Sequence, residues 1–184
     1  MGLVVLLVGV GVGGCAGGDR QDGAIDAEPV PAATDGPIPP VRNPKNLAEI
    51  SPCLLLTPAQ LEANRIDQPG RPRNVLGSAG CEWSDQARTR EVRTFVDLGN
   101  DVLRNVYAKR ETFPLMELTQ VAGYPAIRTK DNVKGSTCYF RVAAAERQTL
   151  VLGFTSLGQG GDEPCKSARA LAEIVINNLP PLKV

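Results

Sequence analysis

The chain has 184 residues, with Lys+Arg and Asp+Glu both at 20 and no histidine. That length suits one domain plus an appendage. A net charge of zero excludes the basic footprint of a nucleic-acid binder and the polybasic segment of a protein drawn to an acidic membrane surface, and the absence of histidine removes the commonest general base and metal ligand.

Residues Leu3 to Val8 form a short apolar run, followed by small residues and Val12-Gly13-Gly14-Cys15. The run is far shorter than the roughly 20 residues that span a bilayer, and it matches the apolar core of a secretory signal. Val12 to Cys15 resembles a bacterial lipobox, with Val12 where leucine is more usual. Residues 1–14 therefore read as a lipoprotein signal peptide, and Cys15 as the lipidated residue left at the N-terminus after cleavage. Two or three acyl chains anchor stably where one does not. No Lys or Arg precedes Cys15 although export signals begin with positive charge, so the expected start codon lies upstream. Between Cys15 and Asn46 prolines 29, 31, 37, 39, 40 and 44 and glycines 17, 18, 23 and 36 replace periodic apolar residues. Such a segment buries too little surface to offset its ordering entropy, so residues 15–46 read as a lipidated cysteine and disordered tether. Residues 47–184 read as a single domain.

Within that domain Thr57, Pro58 and Gln60 predict a capped helix start, with proline at the first helical position and Leu56 and Leu61 as a hydrophobic staple. Gln68 to Gly80, rich in proline and glycine, reads as loop. Cys81–Ser84 and Val92–Leu98 read as strands, and Val92, Thr94, Val96 and Leu98 share a face. A helix follows Asn100-Asp101. Leu118–Val121 and Tyr124–Thr129 read as a hairpin turning near Gly123, and Cys138–Ala144 and Thr149–Thr155 as two further strands. The last helix starts near Asp162, buries Ala168, Leu171, Ala172, Val175 and Leu179, and stops at Pro180-Pro181. These elements predict an α+β fold: a mostly antiparallel sheet of about six strands with three helices packed on it.

With Cys15 lipidated, Cys53, Cys81, Cys138 and Cys165 remain, an even number that in an oxidising compartment predicts two disulfides. Three connectivities are possible. We favour Cys53–Cys81, which clips the start of the first helix to the first strand, and Cys138–Cys165, which clips the last helix to the fifth. A four-thiolate zinc site needs close cysteine pairs, which these spacings lack.

The motifs Ser51-Pro52-Cys53-Leu54-Leu55-Leu56-Thr57-Pro58-Ala59-Gln60-Leu61, Gly80-Cys81-Glu82-Trp83, Gly123-Tyr124-Pro125-Ala126 and Pro164-Cys165, the last leading into Ala168 and Leu171-Ala172, resemble the actinobacterial lipoproteins grouped as domain of unknown function 3558. The resemblance implies a cell-envelope lipoprotein of Gram-positive, high-GC bacteria. It implies no established activity, so it carries over no catalytic residues.

The sequence holds little catalytic chemistry. Nucleophilic catalysis needs a base beside the nucleophile, and no Ser–Lys or Cys–carboxylate motif is present. Glu82 and Asp85 read as solvated strand and turn residues rather than a catalytic pair. Gly158-Gln159-Gly160-Gly161 lacks the frame of a phosphate loop and reads as a turn. Trp83 reads as core packing beside a disulfide, with a stacking platform in a ligand groove as the alternative. Tyr124 reads as a turn residue or the rim of a cleft. Arg93, Asp97, Arg128 and Arg141 read as the wet face of a sheet, able to hold an anionic ligand or a protein partner if they share a concavity. The expectation is a non-enzymatic module, without cofactor or metal, on the extracytoplasmic face of the cell membrane. Its partners would be the membrane through lipid and a small molecule or wall component, but not nucleic acid. An interaction subunit of an envelope complex or sensor is the alternative, and a hydrolase a remote one.

Overall fold

The computed structural model describes residues 36–157 and 163–183. The signal segment, Cys15, most of the proline-rich segment and Gly158 to Gly161 lie outside the described residues.

Local chemistry sets the helices. Helix α1 (Pro58–Ala63) starts in a complete capping box: the Gln60 amide donates to Thr57 Oγ1 at 3.3 Å, and the Thr57 amide to Gln60 Oε1 at 2.9 Å. Helix α2 (Val102–Ala108) is capped by Asp101, which accepts from the Arg104 amide. Helix α3 (Pro164–Asn178) is capped by Glu163, which accepts from the amides of Cys165 and Lys166. Among the described residues no helix is long and apolar enough to cross a membrane.

Seven strands form one sheet: β1 (Arg71–Val75), β2 (Ser78–Ser84), β3 (Arg90–Leu98), β4 (Leu115–Val121), β5 (Tyr124–Lys130), β6 (Thr137–Ala145) and β7 (Gln148–Ser156). Their order is β1-β2-β3-β7-β6-β5-β4, and every neighbouring pair is antiparallel. The fold is α+β as expected, but the strands number seven rather than about six. The missed strand, β1, lies in the segment read as loop. All five of its residues are exposed, so it has no alternation of polarity to detect. It is an edge strand, where Pro72 is tolerated because one side of the backbone needs no ladder partner.

Val92, Val96, Phe140, Val142, Leu150, Leu152 and Phe154 point from the central strands to one face and form the core with α3 and Leu55, Leu56 and Leu61. Both disulfides form in the favoured pairing, Cys53–Cys81 and Cys138–Cys165, with Cα–Cα distances of 5.0 Å each and separations of 28 and 27 residues. Each removes loop entropy from the unfolded chain worth about 3 to 4 kcal/mol. On the second face, α2 lies against β6, and Leu103, Ile127 and Ala145 are buried outside the main core. That cover stops at β6, which leaves the second face of β7, β3, β2 and β1 open.

Four turns gather at one end of the sheet: Leu76–Gly77, Gly99–Asn100, Ala122–Gly123 and Glu146–Arg147. The chain enters the domain across this same end. The Asn43 carbonyl accepts from the Tyr124 hydroxyl at 2.6 Å, the Lys45 amide donates to the Ala144 carbonyl at 2.8 Å, and the Leu47 amide donates to Gln148 Oε1 at 2.8 Å. Lys45 also bridges to Pro181, so both ends of the domain meet here.

Candidate functional site

The second face carries two rows of side chains set by the strand registers, running from its covered half into its open half. One row runs Thr129, Tyr139, Gly153, Arg93, Glu82, Arg71, and the other Ile127, Arg141, Val151, Phe95, Gly80, Arg73. The glycines determine how the aromatic rings lie. A β-carbon on Gly80 would come within 2.4 Å of Phe95 Cδ1, and one on Gly153 within 2.6 Å of Tyr139 Cε1. Each ring therefore rests on the bare backbone of the neighbouring strand. Phe95 leans from β3 onto β2 and Tyr139 from β6 onto β7, so two strand spacings, roughly 10 Å, separate them.

Arg93 shares this face with the rings. Its Nε donates to Glu82 Oε2 at 3.0 Å and its Nη2 reaches Glu91 Oε1 at 2.6 Å. Arg73 shares the same Glu82 oxygen at 3.1 Å. Burial acts to lower the Arg93 pKa, but Glu91 and Glu82 outweigh it and hold the group above its ordinary value. Arg73, Glu82, Arg93, Phe95 and Tyr139 line an open depression of about 580 Å³.

Arg141 differs from its neighbours. Its guanidinium lies 5.8 Å from the ring centroids of both Phe113 and Tyr139 and donates to Thr129 Oγ1 at 2.6 Å. Among the described residues no carboxylate comes within salt-bridge distance of it. Burial pulls its pKa below the ordinary value, opposed by Asp131 and Tyr139. A guanidinium with aromatic walls and donors in excess of its acceptors is suited to a planar anion such as carboxylate or phosphate.

A second open depression, about 440 Å³, lies at the end of the sheet where the chain enters, with Leu47, Ile50, Val96, Leu76 and Leu98 among its lining residues.

Trp83 and Tyr124 are not brought together: β3, β7 and β6 separate their strands. Trp83 is 2% exposed and packs with Cys81 around Gly70, where a β-carbon would meet Trp83 Nε1 at 2.4 Å and Cys81 Sγ at 2.5 Å. It also lines a wide polar depression with Asp67, Arg71, Asp85 and Arg88, to which so buried a ring offers little surface. Tyr124 is half-buried, its hydroxyl is occupied by Asn43, and burial raises its pKa. Glu82 is held by two arginines. Asp85 caps the β2–β3 turn, accepting from the Thr89 hydroxyl and the Arg90 amide. Of the four charged strand residues, Arg93, Asp97 and Arg141 share the second face, whereas Arg128, opposite Phe140, lies on the helix-covered face and pairs with Glu117. Phe95 and Tyr139 were missed as site residues. The signal that could have found them is the glycine at the facing position of each neighbouring strand. Cys15 lies outside the described residues, and among those described no group of three or more potential metal ligands occurs.

The family described as "Protein of unknown function (DUF3558)" matches over residues 10–178. The chain belongs to this family. The DUF3558 match spans every helix and strand described above, so the ringed, arginine-bearing face is part of the family domain and not an appendage to it. No curated protein and no solved structure matches the chain.

Proposed function

We propose that this DUF3558 protein is a cell-envelope lipoprotein, anchored by lipid on Cys15 at the extracytoplasmic face of the membrane, and that its domain is a non-enzymatic module that binds an acidic wall saccharide on the open sheet face. The observation that carries the ligand reading is the pair of rings, Phe95 and Tyr139, seated against Gly80 and Gly153, with Arg93 lining the same depression. Aromatic rings offer apolar faces on which sugar rings stack, and arginines supply forked donors for carboxylate or phosphate substituents. The depression is open, which favours an extended polymer over a small molecule that needs to be enclosed. The anchor reading is supported by the lipobox-like Val12 to Cys15.

Co-sedimentation of the detergent-solubilised full chain with purified cell wall tests the ligand. The wall should deplete the protein from solution, and Tyr139→Ala or Arg93→Ala should each weaken binding about tenfold or more. Equal depletion of wild type and both variants would remove this face from the reading. The anchor is tested by Cys15→Ala, which should move the protein from the membrane fraction to the medium.

A further inference from the structure

The β1–β2 hairpin ends in Val75-Leu76-Gly77, and the side chain at its tip is out of keeping with its backbone. Leu76 has φ of +52° and Gly77 of +87°. A two-residue turn with both φ positive is served best by Asn-Gly or Gly-Gly, and a leucine there adopts the left-handed conformation at a cost. Nor does the leucine recover that cost by burial: Leu76 is fully exposed, at 102% of its reference area, and Val75 is 50% exposed. Leu98, 51% exposed, stands at the end of β3 across the depression that Leu76 lines. Folding alone does not account for a branched apolar residue at this position.

What the tip faces follows from where the chain enters. Lys45 and Leu47 cross the same end of the sheet as the tip, and residues 47–52 line one depression with Leu76. Any anchor N-terminal to Lys45 pulls on that end. Lys45 follows Cys15 by only 30 residues, so an anchor at Cys15 holds this end toward the bilayer. Charge at this end is mixed, with Glu49, Asp97 and Glu146 set against Lys45 and Arg147, so a contact here is apolar rather than electrostatic.

We infer that the Val75-Leu76 hairpin tip is a lipid-contacting element that seats the anchored domain against the bilayer surface. The inference rests on the Cys15 anchor proposed above. Seated this way, the domain holds its sheet strands upright on the membrane, with the ringed face turned sideways to the wall layer. Two apolar side chains bind lipid weakly by themselves; the tether raises their effective concentration and makes the contact persistent.

The experiment uses the full lipidated chain reconstituted into protein-free vesicles, one set of phosphatidylcholine and one of phosphatidylethanolamine with phosphatidylglycerol, each with brominated acyl chains. The Leu76→Trp variant reports the tip. The Val133→Trp variant reports the β5–β6 loop at the opposite end, where Val133 is 56% exposed, and the buried Trp83 gives a background common to both. Emission from the Leu76→Trp variant should shift to the blue and be quenched at least twofold more than that from the Val133→Trp variant, equally in both lipid sets. Adding Val75→Asp to the tip reporter should abolish the difference. Equal quenching of the two reporters in a chain whose Cys15 is shown by mass to be acylated overturns the tip contact and leaves the anchor standing. A Cys15 peptide that carries no acyl groups overturns the anchor instead. A blue shift that appears only in native membranes and never in protein-free vesicles overturns lipid contact in favour of a protein partner.

Discussion

Tyr139 and Gly153 face each other across the β6–β7 ladder, and the tyrosine ring occupies the space a side chain at 153 would fill. One residue's lack of a β-carbon thus fixes the other's orientation. The pair joins stability to the candidate site, because the ring that covers the backbone of β7 is also the ring that walls the depression.

Gly153→Ala should therefore destabilise the domain and weaken ligand binding together. The new β-carbon lies 2.6 Å from Tyr139 Cε1 and 2.8 Å from Cδ1, so the ring must swing away on a central strand. Overpacking of this kind costs about 1 to 3 kcal/mol. Denaturant unfolding should show the midpoint falling without a change of slope. Unchanged stability would mean that Tyr139 has a second resting position.

Arg141→Met should part stability from function. Arg141 donates to Thr129 and stacks on two rings, but burial disfavours its charge and no carboxylate pairs with it among the described residues. Replacing an unpaired, desolvated charge by an apolar side chain of similar length is neutral or stabilising. We expect unfolding free energy to stay the same or rise by up to about 1 kcal/mol, while wall binding falls. A drop of several kcal/mol would show that the guanidinium is structural.

Thr94 is the core's own anomaly. It is 0% exposed, and among the described residues its hydroxyl has no hydrogen-bond partner. It points to the helix-covered face between Cys81 and Leu152, its register partners. A buried hydroxyl without a partner costs about 1 to 3 kcal/mol. Thr94→Val keeps the branched shape and removes the hydroxyl, so it should raise stability by about 1 to 2 kcal/mol in the same unfolding assay. A destabilised Thr94→Val would point to an ordered water that satisfies the hydroxyl.

Where a sequence signal is strong, it arises from burial on one side or from turn chemistry. The capping box at Thr57 and Gln60, the stop at Pro180 and the alternation from Cys138 to Val142 all have that character, and each places an element correctly. The disulfide pairing was legible because each bond ties a cysteine at or just before the start of a helix, Cys165 in α3 and Cys53 ahead of α1, to a cysteine on a strand. β1 was not, because a strand exposed on both sides has no polarity pattern, and its turn uses leucine where asparagine would have announced it. The candidate site was half legible. Arg93 and Arg141 could be placed on one face by counting along strands. Arg128 could not, because only its register opposite Phe140 reveals that it faces the helices. The aromatic pair depends on which glycine faces which ring across the sheet, a relation between distant positions that only strand order supplies.

Asp85 gives the last prediction, one of pH. Burial acts to raise its pKa, but hydrogen bonds from the Thr89 hydroxyl and from the amides of Arg90 and Thr89 outweigh it, so the folded value lies below the ordinary one. A carboxyl with a depressed folded pKa binds fewer protons folded than unfolded. Its contribution is therefore complete above the unfolded pKa, near 4, and is lost as pH falls through the folded value. Asp85→Asn removes the charge that those donors favour. At pH 7 the variant should unfold at lower denaturant than wild type, and the gap should narrow steadily below about pH 4. Parallel stability curves across that range would show that the carboxylate gains nothing from its cap in the β2–β3 turn.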